Sequence, residues 1–466
     1  MIIHAYFGLD SIVHKVRYML FGFTFLVLFS NIAVGYNSDD SSGSEGIVYQ
    51  QDSFWSVESE TGIGWTGWSA RESIKPQFFV AALPSLGEAG SLGISGDSIP
   101  GSQGCWRKTI EGLSGGHYYN FEASYKVSGI SYPMQQARVR LCWLGDDGQG
   151  IGRPEYLTEA ENREQWRVKS GTLRAPEGTT SVEMQLYLCD APQGTIWWDN
   201  IVLSHVDPPP ARQVRVATVN CFPRGKRTAR ESVEDFLPLL DKAGSSECDI
   251  VCLGETVNFV GVEQASYIDV AESIPGPSTR TLGEYAAKYG MYIVASLVES
   301  EDRSIYNTAV LIDRQGKIAG KYRKVHLAVP EFEEGITAGR NYPVFDTDFG
   351  RIGMMICWDM QFVEPSRALA LRGAEMILMP IWGGSTLLPR ARAYENQVYL
   401  VSSGYGSFPS AIISPEGEIV AEAVDRPSVA FADIDLNKPV VFPWKGNLRN
   451  RLACERRLDI KLKNTD

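Results

Sequence analysis

The chain has 466 residues, 44% of them hydrophobic and 21% charged, with a formal net charge of −12. That length exceeds one typical core and points to two domains plus an appendage. The acidic balance leaves no basic patch to hold nucleic acid or an anionic membrane, and no internal repeat marks a solenoid or propeller.

The N-terminal stretch "HKVRYMLFGFTFLVLFSNIAVGYNS" places Lys15 and Arg17 before an apolar run from Met19 to Phe29, followed by Ala33, Val34 and Gly35. This is the layout of a secretory signal peptide cleaved after Gly35, with Met19 as an alternative start. An uncleaved membrane anchor competes with it, since the run approaches the length that spans a bilayer. By either route the protein is expected to be exported, secreted or periplasmic. Residues 36–47, rich in Ser, Asp and Gly, read as a flexible tether.

From 48 to 206 the pattern is short β runs between Gly, Pro and Asn turns. Val139, Leu141 and Trp143 alternate with Arg138, Arg140 and Cys142, as in a strand with one face in a core, and no long helical pattern interrupts. An all-β sandwich is expected. "GDDGQGIG" lies in this β context and reads as a turn, not a nucleotide loop. Residues 207–211, with three consecutive prolines, form a stiff linker.

Beyond it strands alternate with helices from 212 to 455, which indicates an α/β domain, and 456–466 reads as a tail. Pro238 should kink or shorten the helix of "TARESVEDFLPLLDKAG", and Gly290 should end the helix before it. Eight cysteines follow the signal. If Cys357 is a free nucleophile, an odd number remains, so dense disulfide stapling is not expected. Cys248 and Cys252 lack the second pair a zinc site needs and read as buried thiols, so no metal is expected.

Three groups stand at strand ends of the second half: Glu255 after "DIVCLG", Lys324 in "KYRKVHL" and Cys357 after "RIGMMI". A thiol needs a base to act at neutral pH, a lysine can hold an oxyanion, and a carboxylate can take the thiol proton and then activate water. No Gly-x-Ser-x-Gly elbow occurs, and His326 beside the lysine reads as structural.

With these motifs, and with "TAGRNYPVFDTDFGRIGMMICWD" and "RARAYENQVYLVSSG", residues 212–455 resemble a nitrilase-superfamily carbon–nitrogen hydrolase domain. The resemblance implies an αββα sandwich, a homodimer in many members, and a Glu–Lys–Cys triad mapped to Glu255, Lys324 and Cys357. It implies thioester chemistry on a small-molecule amide or N-carbamoyl compound, with no cofactor. Lys324 and the backbone N–H of Trp358 would stabilise the oxyanion, and Trp382 would lie near the pocket. A second glutamate after the lysine is expected at Glu331, then Glu333, with Glu334 also available. Two departures touch loop geometry: Gly254 stands where the family often has Pro, and Val363 likewise.

The front region, through "CWRKTIEGLSGGHYYNFEASYKVSG" and "GTIWWDNIVL", resembles a carbohydrate-binding module of the galactose-binding jelly-roll type. That resemblance implies a glycan as ligand, while Trp106, Trp166 and one of Trp197 and Trp198 are expected in the core. The overall expectation is α/β, a nitrilase-type αββα sandwich preceded by an all-β jelly-roll sandwich. Acyl transfer from the same thioester, or a glycan-binding protein with an inactive hydrolase domain, are the rival functions. Aliphatic amide, N-carbamoyl amine, ω-amide and nitrile all remain open as substrate, nitrile least favoured.

Overall fold

The computed structural model describes residues 46–51, 64–86, 90–406, 410–442 and 444–460. The signal or anchor segment, most of the tether, Trp55 and the end of the tail lie outside the described residues. No helix among the described residues is long and apolar enough to cross a membrane.

The front region is almost entirely antiparallel strand. Its eleven strands run from Gly46–Gln50 to Thr195–Val206. One group pairs Thr66–Trp68, Gln103–Glu111, Ser181–Cys189 and Ala137–Leu144; the strand Glu155–Arg163 pairs with this group at its start and with Trp166–Arg174 at its end. The chain thereby passes from one face of a sandwich to the other. Val139, Leu141 and Trp143 point inward to meet Phe121, Leu203 and Ile94 from the opposite face. Such alternation buries one face of each strand and leaves the other partly open. Trp65, Trp106, Trp143, Trp166 and Trp198 are all buried, which leaves Trp68 and Trp197 as the partly exposed tryptophans among the front region's described residues.

The second half builds two six-stranded sheets. The first runs in the order Ile318–Arg323, Ser304–Ile312, Tyr292–Glu301, Ile250–Cys252, Gln213–Asn220, Ser428–Asp435. The second runs Val344–Asp346, Arg351–Met354, Met376–Pro380, Tyr399–Ser403, Ser410–Ile413, Ile419–Ala423. Val214, Val216, Ile250 and Val294 of the first face Ile352, Met354, Leu378 and Leu400 of the second in one core. The reverse face of the first sheet packs on helices through Val233, Phe236, Leu240, Leu282 and Ala286. Strands buried on both faces read as continuous apolar runs, as in "DIVCL" and "EMILMPI". Cys252 sits in the sheet–sheet core and Cys248 in the helix-covered one, so the pair cannot share a ligand.

Local rules explain the helices. Pro238 divides the expected long helix into Ala229–Glu234 and Leu237–Ser245, entering the second within its first turn, where no N–H is required. Gly290 closes Pro277–Tyr289 in the left-handed conformation at φ 61°.

The last helix of the second half returns to the front region. Helix Leu448–Glu455 packs against the sandwich strand Glu155–Arg163 and the short helix Pro133–Gln136. Beyond it Asp459 accepts a hydrogen bond from Gln135 at 3.1 Å. On its other side Arg449 donates to the carbonyl of Ala374 at 3.2 Å. The described residues accordingly form one compact unit.

Candidate active site

Glu255 stands three residues beyond the strand Ile250–Cys252, and Lys324 directly follows the strand Ile318–Arg323. Lys324 Nζ donates to Glu255 Oε1 at 2.7 Å and to Glu331 Oε2 at 2.6 Å. All three side chains are buried. Asn307 Nδ2 bridges the two carboxylates, donating to Glu255 Oε1 at 2.8 Å and Glu331 Oε1 at 2.7 Å. Its own Oδ1 accepts from Ser296 Oγ at 2.6 Å, which fixes the amide's orientation. Of the three glutamates after the lysine, Glu331 is the one brought into the cluster. Glu333 and Glu334 are exposed, and Glu334 accepts instead from the backbone of Tyr267 at 3.3 Å.

Cys357 does not end the strand itself. The strand stops at Met354, and Cys357 opens a 3-10 turn, Cys357–Gln361, with φ 41°. A non-glycine residue in that region costs on the order of 1–3 kcal/mol and persists only where its surroundings hold it. Here the holder is Asp359, fully buried. Its carboxylate accepts from the N–H of Ile356 at 2.9 Å, the hydroxyl of Tyr322 at 2.6 Å and the N–H of His326 at 3.0 Å. The His326 ring also meets Asp359, Nδ1 to Oδ1 3.1 Å, so this histidine supports the turn.

The half-buried thiol of Cys357 faces the Glu255 side chain and the backbone N–H of Trp382. Burial pushes its pKa up, the Glu255 charge adds to this, and Lys324 and the Trp382 N–H only partly offset them. A thiol in this setting would need a base beside it to act as a nucleophile. Burial disfavours the Lys324 ammonium, but Glu255, Cys357 and Glu331 more than compensate, and its pKa is raised. Trp358 and Trp382 are 41% and 40% exposed. The Trp382 ring packs edge-on against Tyr405 at 5.3 Å and near Phe222 at 6.3 Å. Tyr405 in turn donates from its hydroxyl to the backbone carbonyl of Glu255 at 2.6 Å.

The profile of the family described as Carbon-nitrogen hydrolase matches residues 180–439, more than half of the chain. Omega-amidase NIT2 of Homo sapiens is 33% identical over 234 residues, covering 45% of this chain and 84% of that protein. The chain belongs to the carbon–nitrogen hydrolase family. Omega-amidase NIT2-B of Xenopus laevis is 33% identical over 224 residues, covering 42% of this chain and 80% of that protein. The crystal structure of an amidase from Nesterenkonia sp. shares 24% identity at a TM-score of 0.43, covering 48% of this chain and 90% of that one.

The hydrolase's site contains residues that the motifs did not single out. Asn307 lies in "IYNTAVLI", where a lone amide interrupts an apolar strand; a buried polar group in such a strand must find partners, which was the available signal. Asp359 lies inside the quoted "ICWD" and could have been read as the group fixing the turn. Tyr405 carried no signal, because its hydroxyl meets Glu255 from 150 residues away.

Proposed function

We propose that this carbon–nitrogen hydrolase cleaves amides through a thioester on Cys357, with Glu255 as base and Lys324 as oxyanion partner. The observation that carries the reading is a single thiol held on a left-handed turn beside a buried carboxylate that is itself paired to a buried lysine. Glu255 takes the proton from Sγ as sulfur attacks the carbonyl carbon. Lys324, with the backbone N–H of Trp358 or Trp382, balances the negative charge that develops on oxygen. The C–N bond breaks, the leaving nitrogen takes the proton from Glu255, and ammonia or an amine departs. Water then gives a proton to Glu255 and attacks the thioester, and that proton returns to sulfur as the acid is released. Glu331 acts through Lys324 and Asn307: with two carboxylates around it, the ammonium stays charged through the cycle.

Amide cleavage is favoured over nitrile or N-carbamoyl cleavage because the relatives named above are amidases. Acyl transfer would follow if an amine reached the thioester in place of water. Export through the N-terminal segment belongs to the same reading, as does a jelly-roll module in front. A glycan role for that module rests on Trp68 and Trp197 alone among the described tryptophans, and Trp68 is already capped by the Arg107 guanidinium at 3.6 Å.

The test is ammonia release across simple amides, ω-amidated dicarboxylates, N-carbamoyl compounds and nitriles, with intact-mass detection of acyl adducts. Cys357→Ala is expected to lose turnover by at least about a thousandfold, and wild-type protein to show the adduct on Cys357. Full turnover in the variant would sink the thioester reading. Hydroxylamine added to the wild type should divert product to hydroxamate if the acceptor site is open to amines.

A further inference from the structure

The two buried acids beside Lys324 are unequally occupied. Glu255 receives Lys324 Nζ at 2.7 Å and Asn307 Nδ2 at 2.8 Å, both on Oε1. Among the described residues no nitrogen or hydroxyl donates to its Oε2. Glu331 has both oxygens taken. Its Oε1 accepts from Asn307 at 2.7 Å, and its Oε2 from Lys324 at 2.6 Å and from the N–H of Ala328 at 2.8 Å. A proton could reach Glu331 only by displacing one of these donors, whereas Glu255, which the Cys357 thiol faces, keeps an oxygen open.

A chain of hydrogen bonds enforces this division. The N–H of Thr256 donates to Ser296 Oγ at 3.0 Å, and a backbone N–H can only donate. The Ser296 hydrogen is thereby left to point at Asn307 Oδ1, 2.6 Å away. With Oδ1 held there, both N–H bonds of the Asn307 amide are aimed at carboxylates, one at Glu255 and one at Glu331. A turned amide would set Oδ1 against two negative oxygens and leave the Ser296 hydrogen without an acceptor. The main chain of Asn307 adds a restraint of its own, its carbonyl accepting the N–H of Lys324 at 2.9 Å. Ser296 and Asn307 are buried, so water does not compete for these bonds.

We propose that Ser296 and Asn307 are positioning residues for the cleavage: they reserve Oε2 of Glu255 for the Cys357 proton and keep Glu331 as a fixed counter-ion to Lys324. The step they prepare moves one proton. The S–H bond breaks, an O–H bond forms on Oε2, and the sulfur electron pair goes to the acyl carbon. The assignment rests on the Cys357 thioester proposed above, and both residues act through Glu255.

The experiment uses the full chain and measures kcat and KM for the amide that the wild type cleaves best. Alkylation of Cys357 by chloroacetamide is followed in parallel by mass spectrometry. Ser296→Ala removes the hydrogen that fixes the amide, and should lower kcat at least about tenfold with KM within about twofold. Asn307→Asp has nearly the same shape but at most one proton to share between two carboxylates; it should lower kcat at least about a hundredfold. Alkylation should slow in the same order, because the same oxygen takes the thiol proton. Ser296→Thr keeps the hydroxyl and should recover most of the kcat lost in Ser296→Ala. Ser296→Ala is the smaller change, and with Ser296→Thr it carries the test if Asn307→Asp does not fold. Equal losses in Ser296→Thr and Ser296→Ala would mean that packing, not the hydrogen bond, matters, and would overturn the assignment. Wild-type kcat in Ser296→Ala, with an acyl adduct still on Cys357, would overturn it and leave the thioester standing. A wild type without turnover and with an inert Cys357 would remove both.

Discussion

Gly254 stands one residue before Glu255, and a Cβ added there would fall 2.5 Å from the ring and hydroxyl of Tyr405. The departure from proline at this position therefore has a structural counterpart: the bare glycine lets Tyr405 close on the strand end and hold the Glu255 carbonyl. Gly254→Ala is expected to displace that ring, costing about 1–3 kcal/mol of stability and lowering kcat by at least about tenfold through a misplaced Glu255. Tyr405→Phe removes the hydrogen bond and keeps the packing, so it should cost only ~1 kcal/mol. Urea melts and steady-state kinetics on the two variants check this; equal effects would mean that the hydroxyl, not the packing, carries the position. The three residues proposed to react, and their chain order, were legible in the sequence because each sits in a short local motif. Glu331 was distinguished from Glu333 only by the turn of its helix: the former's carboxylate faces Lys324 and the latter's faces solvent.

Among the elements, the strand Glu155–Arg163 does double service, pairing with both faces of the sandwich and supporting the terminal helix. Glu155 Oε2 is buried there with no hydrogen-bond partner among the described residues, and burial raises its pKa from 4.5 to about 7. A folded-state pKa above the unfolded value means that the fold prefers the protonated carboxyl. Its contribution is fully present below pH 4.5 and is lost as pH rises through about 7. By pH 8 the loss amounts to ~3 kcal/mol. Glu155→Gln should therefore be more stable than wild type at pH 8, with the gap closing towards pH 4.5. Denaturant melts at both pH values read this directly, and a gap that stays constant would refute the burial argument. Helix ends and strand phases were legible because Pro238, Gly290 and the Val139–Leu141–Trp143 alternation act within a few residues. The burial of Glu155 was not, since it depends on a packing partner far along the chain.

At the scale of the whole molecule, helix Leu448–Glu455 ties the two halves: Arg449 bonds the hydrolase side at Ala374, and Arg451 lies over Tyr156 of the sandwich at 5.4 Å. Cys454 is fully buried within this contact. Ending the chain at Asn447 is expected to expose it, lower Tm by several degrees and speed cleavage in the proline linker under limited proteolysis. An unchanged cleavage rate would show that the halves hold together without the helix.

The sequence was sufficient for the class of each half and for the family, because periodicity, prolines and a few spaced motifs encode them within short windows. It was sufficient also to nominate Glu255, Lys324 and Cys357. The tertiary structure alone decided which glutamate joins Lys324, that Asn307 bridges the carboxylates and that Tyr405 fills the space Gly254 leaves. It decided as well that the chain end returns to the sandwich. Each of these is a contact between segments far apart in the chain, set by how sheets stack and helices lie on them, and no local pattern records that.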